Sequence, residues 1–263
     1  MRLAEELWAS RGFIFSNVRR EFQVKYANSL LGFAWNVINP LAIIVVYTVI
    51  FAQVMRAKLP GVDNPFAYGI FLCSGILVWG LFAEITSRSL NMFVENANLL
   101  KKLRFPRACL PTVVLLNALL NFSIIFVIFT AFLLVSGNFP GASYLSLFPL
   151  ILLLVVFSVG LGLILGVLNV FFRDVGHAFA VINTFWFWLT PIVYAPNILP
   201  EWTLSLMVFN PLAAFFGAVQ DVLVRGLWPA WDKLYYMGIS GVALCVLGLR
   251  LFSRYSSEMV DEL

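Results

Sequence analysis

Between Arg107 and Arg173 the chain contains no Asp, Glu, Lys or Arg. A helix crosses the hydrocarbon core with about 20 apolar residues, so this one stretch holds two spans. The segment SGNFPGAS at 136–143, polar and rich in helix breakers, marks the turn between them. Across all 263 residues 62% are hydrophobic and 11% charged, which excludes an ordinary soluble fold. An all-α membrane protein is predicted, because in lipid the backbone must satisfy its own hydrogen bonds.

Six spans are expected, at 33–55, 65–87, 108–135, 144–171, 175–195 and 233–252. An even number puts both termini on one side. With the N-terminus inside, the cytoplasmic segments carry Arg2, Arg11, Arg19, Arg20, Lys25, Arg88, Lys101, Lys102, Arg104, Arg107, Arg173, Arg250 and Arg254. The outer loops then carry only Arg56, Lys58, Arg225 and Lys233, so the positive-inside rule favours N-in and C-in. Residues 202–220, WTLSLMVFNPLAAFFGAVQ, are uncharged and form a candidate seventh span with the same charge tally. Asn210 and Pro211 break that run at its middle, and a re-entrant helical hairpin on the outer side, tolerated where its tip is buried in protein, is the preferred reading.

The start of the chain differs. In ASRGFIFSNVRREFQVKY, Ile14, Val18, Phe22 and Tyr26 recur every four residues while Arg19, Arg20 and Gln23 fall elsewhere. This predicts an amphipathic helix in the cytoplasmic interface within residues 1–32. These residues lack the clean apolar core and small-residue site of a cleaved signal peptide.

Several chemistries find no support in the residues. There is no Gly-Lys dipeptide and hence no GxxxxGK[ST] phosphate loop. Cys73, Cys109 and Cys245 have no CxxC spacing and His177 is the single histidine, so neither a disulfide framework nor a metal site is expected. No carboxylate pair suggests a membrane enzyme or a proton relay. Glu84, the deepest acid, has Arg88 four residues on and reads as an ion pair. The basic residues sit beside spans rather than on a basic domain, which argues for membrane topology and against nucleic acid. Gly160, Gly162 and Gly166 in VGLGLILG lie within an apolar span and read as small residues for close helix packing, not as a nucleotide loop.

One stretch interrupts the apolar pattern with purpose. NANLLKKLRFPR, residues 96–107, sets Leu99, Leu100 and Leu103 on one helical face and projects Lys101, Lys102 and Arg104 elsewhere. A basic loop against anionic lipid headgroups is one reading of it. A docking helix is the other.

The order of VRREFQVKYANSLLGFAWNVINP (18–40), NANLLKKLRFPR, FFRDVGH (171–177), TPIVYAPNILP (190–200) and NPLAAFFGAVQDVL (210–223) resembles the membrane-spanning permease of ATP-binding-cassette (ABC) exporters for lipid-linked polysaccharides, the O-antigen and teichoic-acid type. That resemblance implies a single permease domain over 1–263, with a cytoplasmic coupling helix at 94–107 that docks on a separate ATPase subunit. Asn96, Asn98, Leu99, Leu100, Lys101, Lys102, Leu103, Arg104, Phe105 and Arg107 would make the contact, with Arg173 and Asp174 of FFRDVGH as a second one. It further implies a homodimer in the bacterial cytoplasmic (inner) membrane and two ATPase copies that hold the ATP and Mg. No cofactor is expected in this chain. The 196–230 region would form an outer gate.

Aromatic residues cluster in predicted span five. Aromatic faces stack on sugar rings while fixing few hydrogen bonds, so Phe185, Trp186, Trp188 and Tyr194, with Tyr47 and Phe51 of span one, are candidate channel-lining residues. Trp and Tyr also favour membrane interfaces, and Phe is ordinary in apolar spans. The leading expectation is export of O-antigen. The rivals are the same fold exporting teichoic acid, capsule or a small hydrophobic compound, a membrane enzyme acting on lipid-linked sugars, or a channel or scaffold working without ATP.

Overall fold

A computed structural model describes residue 5 and residues 8–26, 32–54, 59, 62, 64–102, 106–196, 200, 202–203, 207–256 and 258–262. Its elements are helical. In chain order they are α1 (Arg11–Tyr26), α2 (Trp35–Thr48), α3 (Ala67–Glu95), α4 (Ala97–Lys102), α5 (Cys109–Val135), α6 (Leu147–Phe171), α7 (Asp174–Leu189), α8 (Pro211–Gln220), α9 (Tyr235–Tyr255) and α10 (Glu258–Glu262). Short 3-10 turns cover Gly32–Ala34, Gly141–Ser146 and Trp231–Lys233, and wider π turns extend α2 over Val49–Val54 and α8 over Asp221–Arg225.

Among the described residues four helices are long and apolar enough to cross a membrane: Ala67–Glu95, Cys109–Val135, Gly141–Phe171 and Tyr235–Tyr255. The turn expected at 136–143 is present, with Gly137 and Gly141 both at positive φ. The first predicted span, expected over 33–55, is helical through α2 and its π extension over 35–54. The fifth, expected over 175–195, stops at Leu189 after 16 residues. Pro191 accounts for the stop, since the residue before a proline is driven from the helical region, and Thr190 sits at φ −102, ψ 133. At 1.5 Å per residue α7 is roughly 24 Å long, short of a core about 30 Å thick.

α3 is the hub. Its buried residues include Leu72, Cys73, Phe82, Ile85 and Phe93, and it packs against α5, α6 and α8. α6 lies between α3 and α9, and its glycines set how closely the three approach. A Cβ on Gly160 would stand 2.4 Å from the Cys245 backbone nitrogen of α9. Gly162 and Gly166 face the other way, where a Cβ would stand 2.6 Å from Ser89 Cβ and 2.5 Å from the Ser89 carbonyl oxygen of α3. The packing role read from VGLGLILG is thus carried by two interfaces on one helix.

α1 lays Ile14 and Val18 against Cys109 and Val113 at the start of α5. Its apolar stripe therefore packs on protein over that length; the side chains of Phe22 and Tyr26, which continue the stripe, lie outside the described residues. Glu84 and Arg88 form the expected ion pair at 3.7 Å. Arg88 also donates to Glu21 of α1, a partner 67 positions away that local spacing did not disclose.

Candidate functional site

The coupling segment is built by a break in α3. Asn96 leaves the helix at φ −101, ψ 19, its side chain donates back to the Met92 carbonyl, and its own carbonyl accepts from the Leu99 and Leu100 N–H groups to start α4. Leu99, Leu100 and Leu103 are expected on one apolar face; the structure describes the first two and sets them apart. Leu100 is buried with Met92, Phe93, Phe252 and Met259, and Leu99 packs half-buried at its edge. A hydrophobic residue on a six-residue helix gains more by joining its own chain's core than by facing water, and Leu100 is accordingly unavailable to seat in a partner's cleft. Asn98 and Lys101 remain exposed and Arg107 is half-buried. The Lys102 side chain, and Leu103, Arg104 and Phe105 entirely, lie outside the described residues.

FFRDVGH follows at the other end of α6. Arg173 and Asp174 are exposed at the start of α7. With Leu90, Asn91, Val94, Asn169, Gly176 and His177 Arg173 lines a cavity of about 400 Å3 beside α4. Asn169 braces its floor by donating to the Leu90 carbonyl at 3.0 Å. FFRDVGH and the end of α3 are therefore neighbours in space.

The aromatic residues are gathered at the opposite end of α7. A cavity of about 620 Å3 is lined by Trp186, Trp188, Leu189, Tyr194, Trp202, Thr203, Met207, Phe209, Asn210 and Pro211. Trp186 turns its edge to Phe82 at 5.5 Å between ring centroids and donates its indole N–H to Asn210 Oδ1 at 3.0 Å. Tyr194 folds back and donates to the Trp188 carbonyl at 2.6 Å. The wall is thus apolar with fixed polar points, the pattern of a small-molecule or sugar site.

Three of the six predicted channel residues lie elsewhere. Phe185 is exposed on the outer face of α7 with Val181, Ile182 and Leu189. Tyr47 and Phe51 are half-buried in an aromatic ladder in which Phe51 stacks on Tyr68 at 5.4 Å, and Tyr68 donates to the Val193 carbonyl at 3.2 Å. Sequence reading missed Trp202, Met207, Phe209 and Asn210. Their signal was the Asn-Pro pair itself: Asn210 caps α8 by accepting from the Leu212 N–H, and Pro211 opens it. The run 202–220 is therefore not one continuous helix, and the single-helix version of a seventh span fails at the break read from sequence.

Among the described residues no group of three or more His, Cys, Asp or Glu is placed to hold a metal ion.

Long apolar helices packed around a buried hub define a multi-pass membrane protein. The chain belongs to the ABC-2 type transporter family, which it matches over residues 13–224. It is 32% identical over 243 residues to an O-antigen export system permease protein RfbA of Klebsiella pneumoniae, covering 92% of this chain and 91% of the relative. The Myxococcus xanthus protein of the same name is 30% identical over 266 residues, the full length of both. The polysialic acid transport protein KpsM of Escherichia coli is 21% identical over 244 residues, 92% of each chain. The chain is accordingly a permease of the inner membrane and not an enzyme.

Proposed function

We propose that the chain is the membrane-spanning subunit of an ATP-driven exporter that moves lipid-linked polysaccharide, O-antigen in the first place, across the cytoplasmic membrane. The observation that carries the cargo is the greater similarity to the two O-antigen export permeases, at 32% and 30%, than to the polysialic acid transport protein at 21%. The cavity of Trp186, Trp188, Tyr194, Trp202 and Phe209 supports it, because flat aromatic faces bind sugar rings without holding them in one register.

The working unit is a homodimer with two copies of an ATPase subunit, which hold the ATP and Mg; this chain carries no cofactor. Exposed apolar side chains on α7 (Val181, Ile182, Phe185, Leu189) and α2 (Leu41, Ile43, Val45, Val46) support pairing of two copies around a channel. The whole of 1–263 acts as one permease domain with N-in and C-in orientation and six passes, one of them the short helix α7. Residues 196–230 form a re-entrant gate on the outer side. Support comes from the depth of α8: Leu212, Phe215, Phe216 and Val219 are fully buried, although the helix is too short to span.

Residues 94–107 couple to the ATPase through Asn98, Lys101 and the edge of Leu99, joined by Arg104, Arg107 and, from FFRDVGH, Arg173 and Asp174. Trp186, Trp188 and Tyr194 line the sugar path at its outer end. A deletion strain decides the cargo. Undecorated O-antigen accumulating on its lipid carrier inside the cell supports this reading, whereas accumulation of teichoic acid or capsule polymer, or of no polymer, replaces it.

A further inference from the structure

Where α1 crosses the α3–α5 pair, Arg20, Glu21, Val24, Glu84, Arg88, Asn117 and Asn121 surround an open cavity of about 720 Å3. Asn121 sits roughly 18 Å along α5 from Cys109, and Glu84 roughly 16 Å along α3 from Glu95, at 1.5 Å per residue. Both helices are candidate membrane spans. These polar groups therefore lie within the leaflet beside α4, where ionisable residues are costly and mark function.

The internal bonds are asymmetric. Glu21 accepts from Arg88 and, at 2.7 Å, from Asn117 Nδ2. Glu84 accepts from Asn121 Nδ2 at 2.8 Å and pairs with Arg88. One cation is thus shared by two carboxylates. The bond to Glu21 fixes the Asn117 amide with its Oδ1 turned away, and that oxygen has no partner among the described residues although Asn117 is only 4% exposed. A buried acceptor without a donor is costly, because it has given up water and gained nothing in return. The floor of the cavity consequently offers acceptors in excess and calls for a ligand rich in N–H donors. The rim is opposite in kind, because Arg20 is exposed with no anionic partner among the described residues.

We propose that this cavity is a binding site for a zwitterionic aminophospholipid, its primary ammonium donating to Asn117 Oδ1 and the Glu84 carboxylate and its phosphate meeting Arg20. A lipid headgroup is favoured over a soluble amine because the mouth carries the exposed Val24 beside Arg20 and the site lies between two membrane-crossing helices. A phosphatidylglycerol headgroup brings phosphate and hydroxyls without the ammonium, and phosphatidylcholine brings a cation with no N–H. The site discriminates against both, since each leaves an acceptor or a charge unpaired.

The test is native mass spectrometry of the full chain in detergent, titrated with phosphatidylethanolamine, phosphatidylglycerol and phosphatidylcholine of identical acyl chains. Wild type is expected to retain phosphatidylethanolamine about tenfold better than the other two, the scale of a hydrogen bond between charged groups. Asn117→Leu and Glu84→Gln are expected to abolish the preference. Arg20→Ala, on an exposed side chain that cannot threaten folding, is expected to weaken phosphatidylethanolamine binding severalfold and keeps the test valid if a buried variant does not fold. Equal retention of the three lipids by wild type, or phosphatidylethanolamine binding unweakened in Arg20→Ala, overturns the proposal. Soluble phosphoethanolamine binding as tightly as the lipid would also overturn it, by moving the ligand out of the membrane.

Discussion

Trp186 on α7 donates its indole N–H to Asn210 Oδ1 at 3.0 Å, while the same Asn210 oxygen accepts from the Leu212 N–H at 3.1 Å and the Asn210 amide nitrogen donates to Thr190 Oγ1 at 3.0 Å. One side chain thus caps α8, closes the end of α7 and fixes the orientation of a tryptophan on the aromatic cavity. Replacing Asn210 by Ala removes the cap and leaves the Trp186 N–H without an acceptor, at an expected cost of about 2–3 kcal/mol. Asn210→Asp keeps the accepting oxygen and loses the amide N–H bonds to Thr190 Oγ1 and the Leu189 carbonyl. Thermal unfolding in detergent should order the three as wild type, Asp, then Ala. An Ala variant melting with wild type would remove Asn210 from the role assigned to it.

The close approach of α6 to both neighbours makes a second prediction. Gly160→Ala drives a methyl into the Cys245 backbone and Gly166→Ala drives one into the Ser89 carbonyl, contacts with main chain that no rotamer change relieves. Each is expected to destabilise by roughly 1–3 kcal/mol. Gly12→Ala in α1 meets nothing within 4 Å and is expected to raise stability slightly through backbone entropy. Denaturant unfolding monitored by circular dichroism checks the contrast, which disappears if Gly160→Ala and Gly12→Ala behave alike.

How much of this was legible follows from which forces act locally. The uncharged stretch after Arg107 fixed α5 and α6 nearly to the residue, because lipid demands long apolar helices and SGNFPGAS admits only a turn. Asn210–Pro211 announced its cap from chemistry within three residues. The end of α7 was misplaced by six residues because the apolar run continues past Leu189, and hydrophobicity masked the stop that Pro191 imposes. The burial of Leu100 in the chain's own core was not legible for a different reason: helical periodicity tells which side chains share a face, never what the face meets. Glu21–Arg88 and the gathering of Trp202 with Trp186 join residues distant in sequence, and one sequence holds no signal for either.

The division of the coupling leucines gives a third prediction. Leu100→Ala empties a position in the cluster of Met92, Phe93, Phe252 and Met259 and is expected to cost about 2–3 kcal/mol of stability. Lys101→Glu changes an exposed charge and is expected to leave the melting temperature in place while reducing recovery of the ATPase subunit. Copurification from native membranes, read by mass spectrometry beside thermal melting, separates the two. If Lys101→Glu retains the ATPase in full, the exposed edge of α4 is not its docking surface.

The aromatic cavity gives the last. Trp188 is exposed and lines the cavity, and among the described residues its hydrogen bond with a side chain is the one its backbone carbonyl accepts from Tyr194. Trp188→Ala should therefore spare the fold, and the loss of one stacking face, worth about 0.5–1.5 kcal/mol, should slow export roughly two- to tenfold. Trp188→Phe retains a face and should retain most of the rate. Phe185, three residues earlier and directed to the outer surface of α7, lies outside the cavity, so an equal loss in Phe185→Ala would point to a general effect on α7. Export is followed as surface polymer appearing over time in a complemented deletion strain at matched protein levels. Sugar-face stacking predicts the order Ala slower than Phe and Phe close to wild type; a Phe variant as slow as Ala would instead make the indole N–H, not the flat face, the group that matters.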